Sequence, residues 1–317
     1  MGVLWDFIMS LMTESFPPKP TWTANDVPDL SGRVVIITGG NSGLGLEVTK
    51  VLVLLVHGAK VYIASRNKDK ALRALDEIQR ETGHQAQFLQ LDLADLDSVQ
   101  AAANLFLQKE NRLDILYNSA GIMIPPIEEV STQGYDLQFA INVLGHFYLT
   151  KLLLPTLDST AKMNPDGKAR VISISSGAHH GYSLSFDTLT DGAARRRLST
   201  ETLYAQSKYG VVVFAKELAR RYGSVGIVSI SLNPGNMKTN LQRQVTGFKR
   251  AMILDASPNG SQRDCHSPLG GHRAADGRIQ WQVLDPLGAL GKPRKDTQDP
   301  KTGEELWKWL EDQVAGR

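Results

Sequence analysis

The feature that most constrains this chain is a short apolar run, Val34-Val35-Ile36-Ile37, that breaks into Thr38-Gly39-Gly40-Asn41-Ser42-Gly43-Leu44-Gly45 and then into a helical pattern. Apolar residues without polar alternation fit a strand buried on both faces, as inside a parallel sheet. The glycines let the backbone turn sharply and approach a pyrophosphate, whose charge is drawn to the free amides opening the next helix. Strand, glycine loop and helix in this order predict the start of a dinucleotide-binding unit. Gly39, Asn41, Ser42, Gly43, Leu44 and Gly45 are its cofactor-binding candidates.

The same alternation continues. Helical patterns run over Leu46 to His57 (closed by Gly58), Lys68 to Thr82 (stopped by Gly83), Ser98 to Lys109, Tyr135 to Leu157 and Thr202 to Tyr222. Between them lie strand-like runs at Lys60 to Ala64, Ala86 to Leu91, Leu113 to Tyr117, Arg170 to Ser175 and Gly226 to Leu232. Strands alternating with helices predict an α/β fold of the Rossmann type, a doubly wound parallel sheet in three α/β/α layers. Its ligands belong at the carboxyl ends of the strands. Residues 1–30 read as an N-terminal extension and residues 31–317 as a single domain.

Composition narrows the partners. A formal net charge of +2 over 317 residues argues against a nucleic-acid binder, which would show a basic face. The one tight basic cluster, Arg195-Arg196-Arg197, reads as a solvated loop. The single cysteine, Cys265, excludes an internal disulfide and fits a reducing compartment, so a cytoplasmic location is expected. Adjacent His179 and His180 do not offer metal-ligand spacing, and no metal is expected. Residues 3–12 are apolar but short and interrupted by Asp6. They read as a helix packed on its own domain or a weak membrane-surface contact, and not as a transmembrane span.

Two further positions carry chemistry. The second strand ends Ile63-Ala64-Ser65-Arg66-Asn67, with no acid where an NAD site places one to read the ribose. Arg66 can grip a 2′-phosphate bidentately, so NADP(H) is preferred over NAD(H). In Tyr204-Ala205-Gln206-Ser207-Lys208 the phenol and the ammonium are four apart and share a helix face. A nearby cation favours the phenolate, which makes Tyr204 a credible general acid/base.

With these motifs assembled, residues 30 to 245 resemble the short-chain dehydrogenase/reductase family. Its glycine motif matches Thr38, Gly39, Gly43 and Gly45, and its tyrosine-x-x-x-lysine motif matches Tyr204 and Lys208. The strand-end serine of the family falls on Ser176, with neighbouring Ser175 as a rival, and the tetrad asparagine falls on Asn142. Leu91-Asp92-Leu93 matches the adenine-holding segment, which makes Asp92 and Leu93 cofactor candidates. Asn118 and Ala120 stand in the family's central-strand motif, and Asn233-Pro234-Gly235 with Thr239 matches the loop near the nicotinamide. Ser175-Ser176-Gly177-Ala178-His179 and the long stretch before Tyr204 are similar to the retinol-dehydrogenase-like branch, often seen with fungal relatives.

The resemblance implies an NADP(H)-dependent oxidoreductase interconverting an alcohol and a carbonyl. Tyr204 would exchange the alcohol proton, Ser176 would orient the carbonyl oxygen, and Lys208 would lower the tyrosine pKa and hold the nicotinamide ribose. Asn142 would support a water relay. A homodimer or tetramer through the long helices is the implied assembly. Val245, Phe248, Met252, Ile253 and Leu254 point to a small hydrophobic alcohol, aldehyde or ketone as substrate. The alternative is a non-catalytic NADP(H)-binding regulator that senses redox state.

The chain departs from the family pattern twice. Asn118-Ser119-Ala120-Gly121 carries serine where the family has a second asparagine, which is expected to cost some central-strand stability. From about Asp255 to Leu290 all periodicity is lost, where the family has a helix and a final strand. Two readings stay open: a divergent loop, or a reading-frame disturbance. Shifting Gly277 to Leu290 by one base gives a string close to the family's last strand. Helical order resumes at Glu304 to Val314.

Overall fold

The computed structural model of the protein describes residues 30–54, 59–234, 281–284 and 293–317. The apolar segment 3–12, the positions Gly235, Thr239 and Cys265, the apolar residues Val245 to Leu254, and nearly all of 255–290 lie outside the described residues.

Among the described residues, seven strands form one parallel sheet in the order β3-β2-β1-β4-β5-β6-β7. They are β1 (Val34–Thr38), β2 (Lys60–Ser65), β3 (Gln87–Gln90), β4 (Ile115–Asn118), β5 (Ala169–Ile174), β6 (Ile227–Leu232) and β7 (Trp281–Leu284). The order reverses between β1 and β4, so the crevice of this doubly wound sheet opens at the carboxyl ends of those two strands. The expected architecture is borne out. The seventh strand, β7, lies inside the stretch whose own periodicity is lost, where only the shifted reading of Gly277 to Leu290 suggests the family's last strand, and it pairs in parallel with β6, Ser229 opposite Trp281.

Side-chain alternation explains why β1 is apolar throughout. Val35 and Ile37 face one side of the sheet, together with Val61, Ile63 and Tyr117. There they meet Val48 and Leu52 of helix α1 (Gly43–Leu54) and Ile78 of α2 (Lys68–Thr82). Ile36, Tyr62, Leu116 and Val171 face the other side. That core is closed by α3 (Leu96–Leu107), α4 (Gly145–Met163), α5 (Thr200–Tyr222) and α6 (Pro300–Gln313). On α6, Trp307 lies edge-on to Phe147 of α4 at 5.1 Å and stacks beside Phe214 of α5, sealing the C-terminal helix onto the domain.

Helix starts follow capping side chains. Asn67 caps α2 through Lys70 N, Asp95 caps α3 through Asp97 N, and Ser199 caps α5 through Thr202 N. The continuous helix expected from Tyr135 is different in detail. Asp136 caps a short turn, Leu137–Phe139, which passes into a π-helical turn, Ala140–Leu144, before α4 begins. The combined stretch Leu137–Met163 is long and apolar enough to cross a membrane by composition, but 89% of its most apolar window is buried inside the domain. It is the central core helix.

The basic cluster requires a correction. Arg195 is not solvated; it is 1% exposed and paired with the equally buried Asp136 at 2.9 Å. Its guanidinium also donates to the carbonyls of Ile127 at 2.8 Å and Glu129 at 3.0 Å. A sequence window shows three like charges but not the acid 59 residues upstream that draws one of them inward. Arg196 is exposed, as expected.

Candidate active site

The site grows from the carboxyl end of β1. Gly39 has φ +69°, a left-handed conformation that side chains disfavour, and a Cβ there would lie 2.9 Å from Ala120 Cα. A Cβ on Gly45 would lie 2.5 Å from the Gly39 carbonyl oxygen. These two contacts are backbone against backbone, so they explain why the loop is glycine-rich better than flexibility does. Gly43 opens α1, with Asn41, Ser42 and Leu44 beside it at the helix N-terminus. Arg66 follows directly on β2, is exposed, and its guanidinium has no hydrogen-bond or ion-pair partner among the described residues. Asp92 and Leu93 lie just beyond β3. Asp92 Oδ1 accepts from Ala94 N at 3.0 Å, and Leu93 is buried under Gly145. Pro234 is half-buried beyond β6.

The bend after β4 completes the cleft. Asn118 is buried, its Nδ2 donates to Thr150 at 3.4 Å, and its Oδ1 has no partner among the described residues. A buried unpaired carbonyl oxygen at this crevice suits a ligand that brings a donor. Gly121 comes next. A Cβ there would stand 3.2 Å from Asn142 Oδ1 and 3.8 Å from Lys208 Nζ, so its hydrogen keeps space open above both. Three residues on, Ile124 adopts φ 53°, rare for a β-branched residue, and its N–H donates to Gln138 Oε1 at 2.9 Å. The residues present therefore fit a dinucleotide: a glycine cradle at a helix N-terminus, an unpaired acceptor and an open floor.

Asn142 sits in the π-helical turn and is held like a short strand pairing. Its Oδ1 accepts from Ile122 N at 3.0 Å, while its Nδ2 donates to the Ile122 carbonyl at 3.1 Å and to Ser207 Oγ at 2.9 Å. π-Helical turns recur at functional sites because they displace one residue from helical register. Ser207, which sequence reasoning passed over, links this turn to α5.

The structure separates the two rival serines. Ser175 is buried and donates to the Lys208 carbonyl at 3.0 Å, bracing α5. Ser176 caps the turn Gly177–His180, accepting from Ala178 N at 3.2 Å, and its hydroxyl lies near enough to the Tyr204 phenol to favour the phenolate. On α5, Lys208 Nζ lies 5.8 Å from the centre of the Tyr204 ring and donates to the Ile174 carbonyl at 2.9 Å. Ser176, Tyr204, Lys208 and Asn142 are thus brought to one end of the sheet, beside the glycine loop.

Electrostatics in the protein alone run against the expected activation of Tyr204. Burial pushes its phenol up to about 12, opposed by the nearby Ser176 hydroxyl. Lys208 does not offset this, and burial lowers its own ammonium to about 8. Desolvation disfavours each charged form more than the pair at this separation favours it. Activation therefore needs a positive charge or a donor closer to the phenol oxygen than Lys208 stands here.

The loop after Ser176 is tied to α5 and to the segment before α6 as well. Buried Gln206 accepts from Ser185 N at 2.8 Å and bonds Thr188, while Arg294 bonds the His180 carbonyl and Ser183. The rings of the adjacent His179 and His180 lie 3.9 Å apart, centre to centre. No metal-holding group of His, Cys, Asp and Glu occurs among the described residues.

A doubly wound sheet with a glycine loop at its crevice defines a dinucleotide-binding type of fold. The family model described as short chain dehydrogenase matches residues 33–186. A short-chain dehydrogenase/reductase of Armillaria gallica is 49% identical over 313 residues, covering 99% of each chain. Retinol dehydrogenase 11 of Homo sapiens is 33% identical over 266 residues, covering 80% of each. Among solved structures, an uncharacterized protein from Mycobacterium paratuberculosis superposes with a TM-score of 0.66 at 30% identity, over 92% of this chain and 96% of that one. The chain belongs to the short-chain dehydrogenase/reductase family, whose members are oxidoreductases acting on a CH–OH/C=O pair.

Proposed function

We propose that this oxidoreductase interconverts a small hydrophobic alcohol and its aldehyde or ketone, using NADP(H) in preference to NAD(H). The observation that carries the reading is the convergence of Tyr204 and Lys208, one helical turn apart with Nζ 5.8 Å from the phenol ring centre, with Asn142 under Gly121 and the Ser176 hydroxyl near the phenol, at the carboxyl ends of the strands that carry the glycine loop. When bound, NADPH supplies the hydride. Tyr204 delivers its hydroxyl proton to the carbonyl oxygen as the alcohol forms, and takes it back in the reverse direction. Ser176 donates to the same oxygen and fixes its place. Lys208 supplies positive charge and donors toward the ribose side, and Asn142 holds the turn beneath it.

The preference for NADP(H) rests on Arg66, exposed at the end of β2 with no competing partner among the described residues. Gly39, Asn41, Ser42, Gly43, Leu44 and Gly45 would take the pyrophosphate, Asp92 and Leu93 the adenine side, and Asn118, Ala120 and Pro234 the nicotinamide side. A hydrophobic substrate accords with the similarity to a retinol dehydrogenase.

The test is a titration with NADPH and NADH, then turnover of apolar aldehydes and ketones followed at the reduced-nicotinamide band. Tyr204→Phe should abolish turnover and retain NADPH binding, and Arg66→Glu should weaken NADPH much more than NADH. Tight NADPH binding without turnover on any carbonyl would replace the enzyme by a redox-sensing regulator. Equal affinity for the two nucleotides would end the Arg66 argument.

A further inference from the structure

A chain of polar side chains runs from His146 through Thr38 to the bend after β4. His146 stands in the first turn of α4 and is 3% exposed. Its Nδ1 faces the Asn142 carbonyl at 3.3 Å, and its Nε2 faces the Thr38 hydroxyl at 2.8 Å. A carbonyl oxygen only accepts, so Nδ1 carries the proton and Nε2 is a bare acceptor. The Thr38 proton goes to Nε2, since its other acceptor, the Tyr117 carbonyl, lies farther off at 3.4 Å. The oxygen of Thr38 then accepts from Ser119 N at 2.9 Å and from Ala120 N at 3.0 Å. One proton and two lone pairs are all engaged, and the imidazole decides which way they point.

The consequence reaches the cleft. Thr38 ends β1, and Gly39 follows it directly; Ala120 is the residue against which Gly39 packs. The Thr38 bonds therefore set the spacing between the glycine loop and the bend carrying Ala120 and Gly121. The same imidazole holds the carbonyl of Asn142, whose carboxamide oxygen lies under Gly121. Burial, assisted by the charge of Lys208 and opposed by the bond to Asn142, keeps the ring neutral and so able to accept.

We propose that His146 is a positioning residue for the dinucleotide site: it orients the Thr38 hydroxyl and so holds the Ser119–Gly121 bend at its distance from the glycine loop. It acts through Thr38, and its second bond ties the Asn142 turn to the same frame. The inference rests on the reading that this crevice binds NADP(H).

Three variants divide the ring. His146→Gln places a carbonyl oxygen at the reach of Nε2 and keeps an acceptor for Thr38. His146→Asn places an amide N–H at the reach of Nδ1 and keeps only the Asn142 end. His146→Leu keeps neither. For each, NADPH affinity is measured by fluorescence titration, and the unfolding temperature is measured without nucleotide. Affinity is expected to fall about 10-fold or more in His146→Asn and His146→Leu, and to stay within about 3-fold of the parent in His146→Gln. Adding Thr38→Val to His146→Asn should change affinity little, because the hydroxyl has already lost its orientation. Unchanged affinity in the Asn and Leu variants overturns the proposal. So does a loss in all three that follows their unfolding temperatures. A parent protein that binds no dinucleotide would sink the reading of the crevice, and this inference with it.

Discussion

Replacing Arg195 by methionine should be among the costliest single changes in the protein, although a sequence window presents it as one of three surface arginines. The side chain is 1% exposed and holds Asp136 at 2.9 Å with two loop carbonyls at 2.8 and 3.0 Å. A fourth partner, Asp191 at 3.3 Å, is partly exposed and also bonded to Arg196, so its loss counts little. Methionine fills most of the volume but leaves a buried carboxylate and two carbonyls without a cation. Breaking one side of such a pair costs about 3–5 kcal/mol, and the orphaned carbonyls do not add in full because water can reach a loosened loop. Charge, and not packing, carries that cost, so it should depend on pH. Burial already holds the Asp136 carboxyl above its usual range in spite of Arg195. Without the guanidinium it rises further. A folded-state acid with a raised pKa binds more protons than the unfolded chain, so the variant loses stability as pH rises through that range. Urea unfolding should therefore give a larger deficit at pH 8 than at pH 5, and Asp136→Asn in the Arg195→Met background should recover part of it. Asp136 also caps the turn that leads into the Asn142 π-turn, through Phe139 N at 2.9 Å, so catalytic turnover should fall with stability. A deficit below about 1 kcal/mol, or one that is flat with pH, would refute the argument that an uncompensated charge is what the substitution leaves behind.

Four further outcomes follow from the site. Gly45→Ala sets a methyl group 2.5 Å from the Gly39 carbonyl oxygen, a backbone atom that cannot swing away; NADPH affinity should drop at least about 100-fold, measured by titration against the parent. Ser176→Ala should reduce kcat by roughly 100-fold or more with little change in unfolding temperature. Ser175→Ala should do the reverse, costing on the order of 1 kcal/mol of stability through the lost bond to the Lys208 carbonyl and leaving kcat nearly intact. Stability should also fall as pH drops from about 6.5 toward 3, because buried His146 stays neutral to about 3 while the unfolded chain takes up its proton near 6.5. At ~1.4 kcal/mol per pH unit the upper limit is about 5 kcal/mol, and His146→Gln should show a visibly shallower acid limb in thermal melts.

The parts of this molecule legible in the sequence are those specified by neighbours along the chain. Two-sided burial makes β1 apolar from Val34 to Ile37; Gly45 is required by the Gly39 carbonyl six residues before it; Tyr204 and Lys208 meet because one helical turn separates them. The parts that were not legible are specified by residues far away. Arg195 is buried because Asp136 and the carbonyls of residues 127 and 129 wait for it, and no charge count contains that. Ser175 and Ser176 are chemically identical neighbours, and only the end of β5, where one points back to α5 and the other caps a turn, tells them apart. Strand β7 is held by its pairing with β6 and lies in a stretch whose own pattern is irregular. His146 did leave a trace: a histidine inside the apolar run Leu144 to Leu149, on a helix otherwise committed to the core. A polar side chain on a buried helix face must have a partner, and in a doubly wound sheet the first turn of a helix lies near the carboxyl ends of strands. Those two statements together would have pointed from His146 to the end of β1 before any distance was measured. They would not have revealed the tautomer, which depends on the carbonyl that the π-turn leaves beside Nδ1.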